Sequence, residues 1–149
     1  MRAVVQRVHT AEVRVDGERV GAIGRGLLVY LGIGARDTPA EVAWMAAKVE
    51  GLRIFEDERE KLSWSVRDVA GEVLVLSQFT LYGDVRKGRR PSFDAAMPPE
   101  QARLLYDHFC HMLRELGLPV AEGRFRAVMR VLAEVDGPVT ILVDSERTF

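Results

Sequence analysis

The sequence predicts an α/β fold, a layered mixed β-sheet or open barrel with two main helices packed on it. Three observations predict it. The first third of the chain carries hairpin signals between apolar stretches, and tight hairpins make antiparallel neighbours. Two apolar runs, at 27–33 and at the start of 71–83, read as strands buried on both faces. Two further segments, opening at Thr38-Pro39 and Pro98-Pro99, place apolar residues at helical spacing. Strands mixed with two helices imply a sheet covered on one side.

Each element has its own signal. Residues 1–8 alternate as a strand, and 11–15 as a second. Asp16-Gly17 marks a two-residue turn, so 18–23 returns antiparallel. After the Gly24-Arg25-Gly26 turn, the run 27–33 predicts a central strand. Thr38 can cap the free amides of a helix, Pro39 suits its first position, and Glu41 completes a capping box. Val42, Met45, Ala46, Val49 and Leu52 form the apolar stripe of that helix. Residues 52–55 predict a short strand, and the charged segment 57–61 a solvated loop. Residues 82–93 are irregular by composition. Ala102, Leu105, Phe109, Met112 and Leu116 predict the buried face of the second helix, stopped by Gly117 and Pro119. Residues 125–135 read as a strand, and 139–143 as the last.

The 149 residues, 48% hydrophobic and 29% charged, suit one domain spanning 1–149. A net charge of −1 excludes a general polyanion binder, so any nucleic-acid contact must come from a local patch. Cys110 is the only cysteine, which rules out an internal disulfide and suits a reducing cytosol. The N-terminus turns polar too early for a signal peptide, and no apolar run approaches a membrane span.

Chemistry concentrates where the run 71–83 changes character, at Ser77, Gln78, Phe79 and Thr80. If the strand continues, Ser77 and Phe79 share one face, Gln78 and Thr80 the other. Polar groups at the end of a buried strand need partners, from the protein or from a substrate. Ser77 has no nucleophile elbow around it, and of His9, His108 and His111 none is placed beside it by the sequence. His108 and His111 lack a third ligand at metal-binding spacing. Arg86, Lys87, Arg89 and Arg90, flanked by Tyr82 and Phe93, either grip phosphates or solvate a surface loop. Gly137-Pro138 reads as a turn between two strands, its peptide isomer open.

Taken together, Ser77-Gln78-Phe79-Thr80-Leu81 and Gly137-Pro138-Val139-Thr140 resemble the two motifs of the D-aminoacyl-tRNA deacylase family. The similarity runs the whole length, through 52–57, 87–93 and 123–125 in family order. The resemblance implies a cytoplasmic homodimer that proofreads translation. It would hydrolyse the ester between a D-amino acid, or glycine, and the 3′-terminal adenosine of tRNA, and would spare L-aminoacyl-tRNA. It implies a site at the dimer interface, with Ser77, Gln78, Phe79 and Thr80 from one subunit. Gly137, Pro138 and Thr140 would come from the other, with the Gly137-Pro138 bond cis. It implies no metal, no cofactor and no membrane. The sequence departs from the family pattern at Val135, where Asn is usual, at Arg126, often Gly, and at Val128, often Asp. Two rivals carry different chemistry: a non-catalytic RNA-binding module using residues 86–90, and an esterase using Ser77 and His108.

Overall fold

The computed structural model describes residues 1–148. Its main sheet is mixed and nearly closes as a barrel. The order is β2 (Glu18–Ile23), β1 (Arg2–Val15), β3 (Gly26–Gly32), β6 (Glu72–Ser77) and β7 (Val120–Glu122), with β8 (Arg130–Asp144) pairing the other edge of β1. β4 (Phe55–Glu56) and β5 (Leu62–Trp64) form a separate two-stranded ribbon.

The Asp16-Gly17 hairpin is borne out, since β1 pairs antiparallel with β2, but β3, reached through the Gly24–Gly26 turn, pairs antiparallel with β1 and not with β2. β3 and β6 are parallel, as are β6 and β7. Parallel neighbours need long crossovers. Helix α1 (Pro39–Gly51) lies in the first and α2 (Pro99–Glu115) in the second. The sheet's ends meet closely: a Cβ at Gly21 of β2 would stand 2.5 Å from the Glu122 carbonyl oxygen of β7. Only glycine permits that approach.

The two faces of β6 bury different groups. Val73 and Val75 pack under the helices, against Met45, Val49, Phe109 and Leu113. Leu74 and Leu76 fill the barrel with Val8, Val13, Ile23 and Leu28. A strand buried on both faces has no polar alternation, which is why 73–76 reads as a continuous apolar run.

Several boundaries differ from the sequence reading. Residues 1–8 and 11–15 are one strand, β1, whose alternation slips where its pairing with β8 shifts. The two strands expected at 125–135 and 139–143 are one strand, β8, and 124–129 is an irregular segment with a turn over 124–127. The strand expected at 52–55 begins only at Phe55. Thr38 caps α1 with the full capping box. In α2 the buried face is Ala102, Tyr106, Phe109, Cys110 and Leu113, while Leu105, Met112 and Leu116 lie at its margin. Tyr106 belongs to the core because its hydroxyl donates to the Val75 carbonyl, 2.8 Å away, which satisfies its one polar atom.

Candidate active site

The polar tip of β6 is where the fold opens. Ser77 ends the strand, and the Gln78 amide makes one last sheet-like bond to the Leu31 carbonyl at 2.8 Å. The backbone then turns into a short 3-10 helix, Phe79–Tyr82. The two-face alternation expected through Thr80 therefore stops at Ser77. The first hydrogen bond of the turn runs from the Leu81 amide to the Gln78 carbonyl, 3.3 Å. The Phe79 and Thr80 amides come before it, so the turn offers them no acceptor. The Gln78 side-chain amide donates to the Thr80 hydroxyl and ties down the turn. No described side chain bonds to the Ser77 hydroxyl.

A cavity of about 850 Å³ begins at this tip. Ser77, Gln78 and Phe79 line it, with Tyr30 and Leu31 of β3, residues 93–94 and 96–99, Ala102, and residues 125–129 and 131. Its size lies within the roughly 300–1,000 Å³ range of ligand pockets, and a mostly apolar wall with few polar groups is what such pockets show. Phe79 stays 57% exposed at the lip and packs edge-on against Phe93, ring centroids 4.9 Å apart. At the back, Phe125 leans on Tyr106 at 5.7 Å. Thr80 is beside the cavity but not among the residues that line it.

Gly137 and Pro138 lie elsewhere on the chain's surface. The pairing of β8 with β1 steps from Gln6↔Thr140 to Val8↔Val135, so residues 136–139 bulge out opposite Arg7 alone. The bulge holds a cis Gly137-Pro138 bond, and Gly137 has φ +117°, a region that L side chains rarely adopt. Both residues are exposed, and neither lines the cavity of its own chain. Thr140 accepts from Gln6 Nε2 at 3.3 Å.

The sequence reading missed what holds this bulge. Arg7 is buried, its Nε 2.8 Å from Asp136 Oδ2. Its Nη1 donates to the Ile54 carbonyl at 2.8 Å, and its Nη2 reaches Glu56 at 3.5 Å. His9 stands 3.5 Å from the other Asp136 oxygen. The signal was available: period two puts Arg7 on the inward face of Ala3 and Val5, and a charge there requires a partner.

The basic loop joins the cavity through Phe93. An Asp84↔Ser92 bridge closes the loop at its base. Arg86 is held by Asp84, with contacts of 2.5 to 3.1 Å. That guanidinium, through its hydrogen bonds, lowers the Asp84 carboxyl to about 2. Lys87, Arg89 and Arg90 are exposed and have no ion pair among the described residues. His108 and His111 lie on α2 away from the cavity, and His111 pairs with Glu115 at 3.3 Å, which removes the base that a Ser77 nucleophile requires. Among the described residues no cluster of three metal-binding side chains occurs.

A tip whose Phe79 and Thr80 amides the turn leaves unclaimed, beside a ligand-sized cavity, is an arrangement that can hold the oxygen of an activated carbonyl, as enzymes of acyl transfer do. Sequence comparison narrows that class. A profile of the family described as D-Tyr-tRNA(Tyr) deacylase matches residues 4–144. The D-aminoacyl-tRNA deacylase of Thermotoga petrophila is 58% identical over all of both chains. That of Geobacter sulfurreducens is 54% identical over 98% of this chain and 96% of its own. A solved structure titled c-Myc DNA Unwinding Element Binding Protein superposes with a TM-score of 0.92 at 48% identity, covering 97% of this chain and 99% of that one. A probable eukaryotic D-amino acid tRNA deacylase shares the fold, with a TM-score of 0.80 at 22% identity over 95% and 97% of the two chains. This chain belongs to the D-Tyr-tRNA(Tyr) deacylase family.

Proposed function

We infer that the chain does what its family's name describes. It is a hydrolase that cleaves the ester joining a D-amino acid to the 3′-terminal adenosine of tRNA, releasing both. The observation that carries this reading is the Ser77–Thr80 tip, with two amides unclaimed by the turn, at the mouth of a cavity of about 850 Å³.

The chemistry needs little more than placement. An aminoacyl ester is labile, and donors fixed where charge develops lower its barrier without a nucleophilic side chain. Water attacks the ester carbonyl, and the Phe79 and Thr80 amides receive the oxyanion. Ser77 orients the substrate from the cavity wall. Gln78 braces the turn by holding the Thr80 hydroxyl, which argues against Thr80 as a nucleophile. The neighbouring ribose hydroxyl of the tRNA helps activate the water. Lys87, Arg89 and Arg90 meet phosphates of the acceptor end, while Arg86 is partly neutralised by Asp84.

The working unit is a homodimer in the cytoplasm, each copy a single domain over 1–149. Two observations support pairing. The outer edge of β8 has no strand partner among the described residues, and along it Leu132 and Leu142 are 52% and 58% exposed. An unpaired apolar edge favours a second copy. Gly137 and Pro138 project from the same strand and stay outside their own chain's cavity, so the partner's pair can close it. A backbone wedge there excludes the side chain of an L-amino acid by clash, while a D side chain points to open space. Glycine has nothing to clash and is accepted.

The test compares D-tyrosyl-, L-tyrosyl- and glycyl-tRNA, with and without chelator. Loss of the D- and glycyl-esters alone, unaffected by chelator, is expected. Thr80→Ala should keep turnover within about tenfold, whereas losing a main oxyanion donor costs about 100- to 1,000-fold. A trapped acyl-Thr80 species would overturn the backbone mechanism, and RNA binding without cleavage would restore the non-catalytic rival.

A further inference from the structure

The segment 124–129 puts one charged group into the cavity wall. Arg126 is the only cation among the described residues lining it. Arg126 adopts φ +62°, a left-handed conformation that a non-glycine residue holds only when its surroundings impose it. Its neighbour Val128 is 92% exposed, so the segment stands proud of the barrel. The guanidinium reaches the start of α2, where Arg126 Nη1 lies 3.4 Å from Glu100 Oε1, next in sequence to the cavity-lining Pro98 and Pro99. Both side chains are largely exposed, and a contact this long between exposed groups is weak and easily exchanged.

Resting on the deacylase reading, we propose that Arg126 is a positioning residue that exchanges Glu100 for the phosphodiester on the 5′ side of the terminal adenosine. The chemistry of the substrate selects that group. In an aminoacylated 3′ end the base and ribose are neutral and the amino group is cationic. Only the phosphodiester can pair with a guanidinium at the rim, and arginine meets phosphate with two parallel N–H donors. Glu100 occupies Arg126 in the free protein and competes with the phosphate. Arg126 therefore tightens binding of the RNA end and leaves the hydrolytic step to the Ser77–Thr80 tip.

The experiment measures kcat and KM on three D-tyrosyl esters: of tRNA, of adenosine 5′-monophosphate, and of adenosine lacking the phosphate. Wild type is compared with Arg126→Ala, Arg126→Lys and Glu100→Gln. The loss of one charge-assisted contact is worth about tenfold in binding. Arg126→Ala should raise KM about tenfold for the two phosphate-bearing esters, change KM less than twofold for the adenosine ester, and leave kcat alone. The logarithmic salt dependence on tRNA should become shallower by about 0.7, the slope per phosphate of a single strand. Arg126→Lys should recover most of the loss, and Glu100→Gln should lower KM. The proposal is overturned if Arg126→Ala weakens all three esters alike, or if Glu100→Gln raises KM as Arg126→Ala does, since either result marks a purely structural bridge. Failure of wild type to cleave any D-ester would instead sink the deacylase reading, and this inference with it.

Discussion

At the scale of single residues, Arg7 decides where Gly137 and Pro138 stand. It is buried, and it spans Ile54 and Glu56 on one side and Asp136 on the other. Removing one member of a buried pair leaves the other without compensation and costs about 3–5 kcal/mol. Arg7→Ala should lower the unfolding free energy from urea melts by about 3 kcal/mol, and the midpoint with it, because Asp136 keeps some solvent. It should also relax handedness selection in whatever fraction remains folded. An unchanged midpoint would mean that the bulge holds itself. Arg7 was legible as an inward charge on an apolar strand face, but its partner was not. Asp136 is distant in sequence, and only the pairing of β1 with β8 brings the two together. Ser77, Gln78 and Phe79 were legible because polar groups end an apolar run. The face of Thr80 was not legible, because a 3-10 turn replaces the strand alternation from Phe79 onward.

At the scale of elements, the strands buried on both faces were the easiest to read, and the edges the hardest. β6 announces itself by composition, and α1 by Thr38, Pro39 and Glu41. β8 was split in two by Gly137-Pro138, since a glycine-proline pair usually ends a strand; here β1 pairs on both sides of the bulge and carries the strand across. Exposed Leu132 and Leu142 on that strand have no account within a single chain. Changing both to Asp should convert a dimer to monomer by light scattering with little loss of thermal stability, because neither is buried in the protomer. A wild type that is already monomeric would remove the interface argument.

At the scale of the whole molecule, two buried phenols and a buried thiol set the behaviour in alkali. Burial raises Tyr82, Tyr106 and Cys110 above their ordinary values of 10.0, 10.0 and 9.0. All three stay neutral when folded, while the unfolded chain ionises at the ordinary values. Their contribution is therefore complete below about pH 8 and shrinks as pH rises beyond 9, by up to about 1.4 kcal/mol per pH unit for each group. Urea midpoints between pH 7 and 10.5 should stay level and then fall from about pH 9, and a flat profile to pH 10.5 would contradict this. The mixed sheet and its two helices were legible from hairpin signals, apolar runs and helix starts. The open barrel was legible too, while the contact that nearly closes it, Gly21 against Glu122 across a hundred residues of sequence, was not.

In the proposed dimer one protomer cleaves and its partner sorts handedness. Mixed dimers test it most directly. Ser77→Phe blocks its own cavity but keeps a sound Gly137-Pro138 bulge. Gly137→Ala keeps the cavity but distorts the bulge, where an added Cβ would stand 2.8 Å from Val139 Cγ2. The measured quantity is the ratio of L- to D-tyrosyl-tRNA cleavage by Gly137→Ala, alone and after co-assembly with excess Ser77→Phe. The ratio should fall toward the wild-type value in the mixed dimer, because the intact bulge closes the intact cavity. An unchanged ratio in a verified mixed dimer would show that each chain sorts its own substrate.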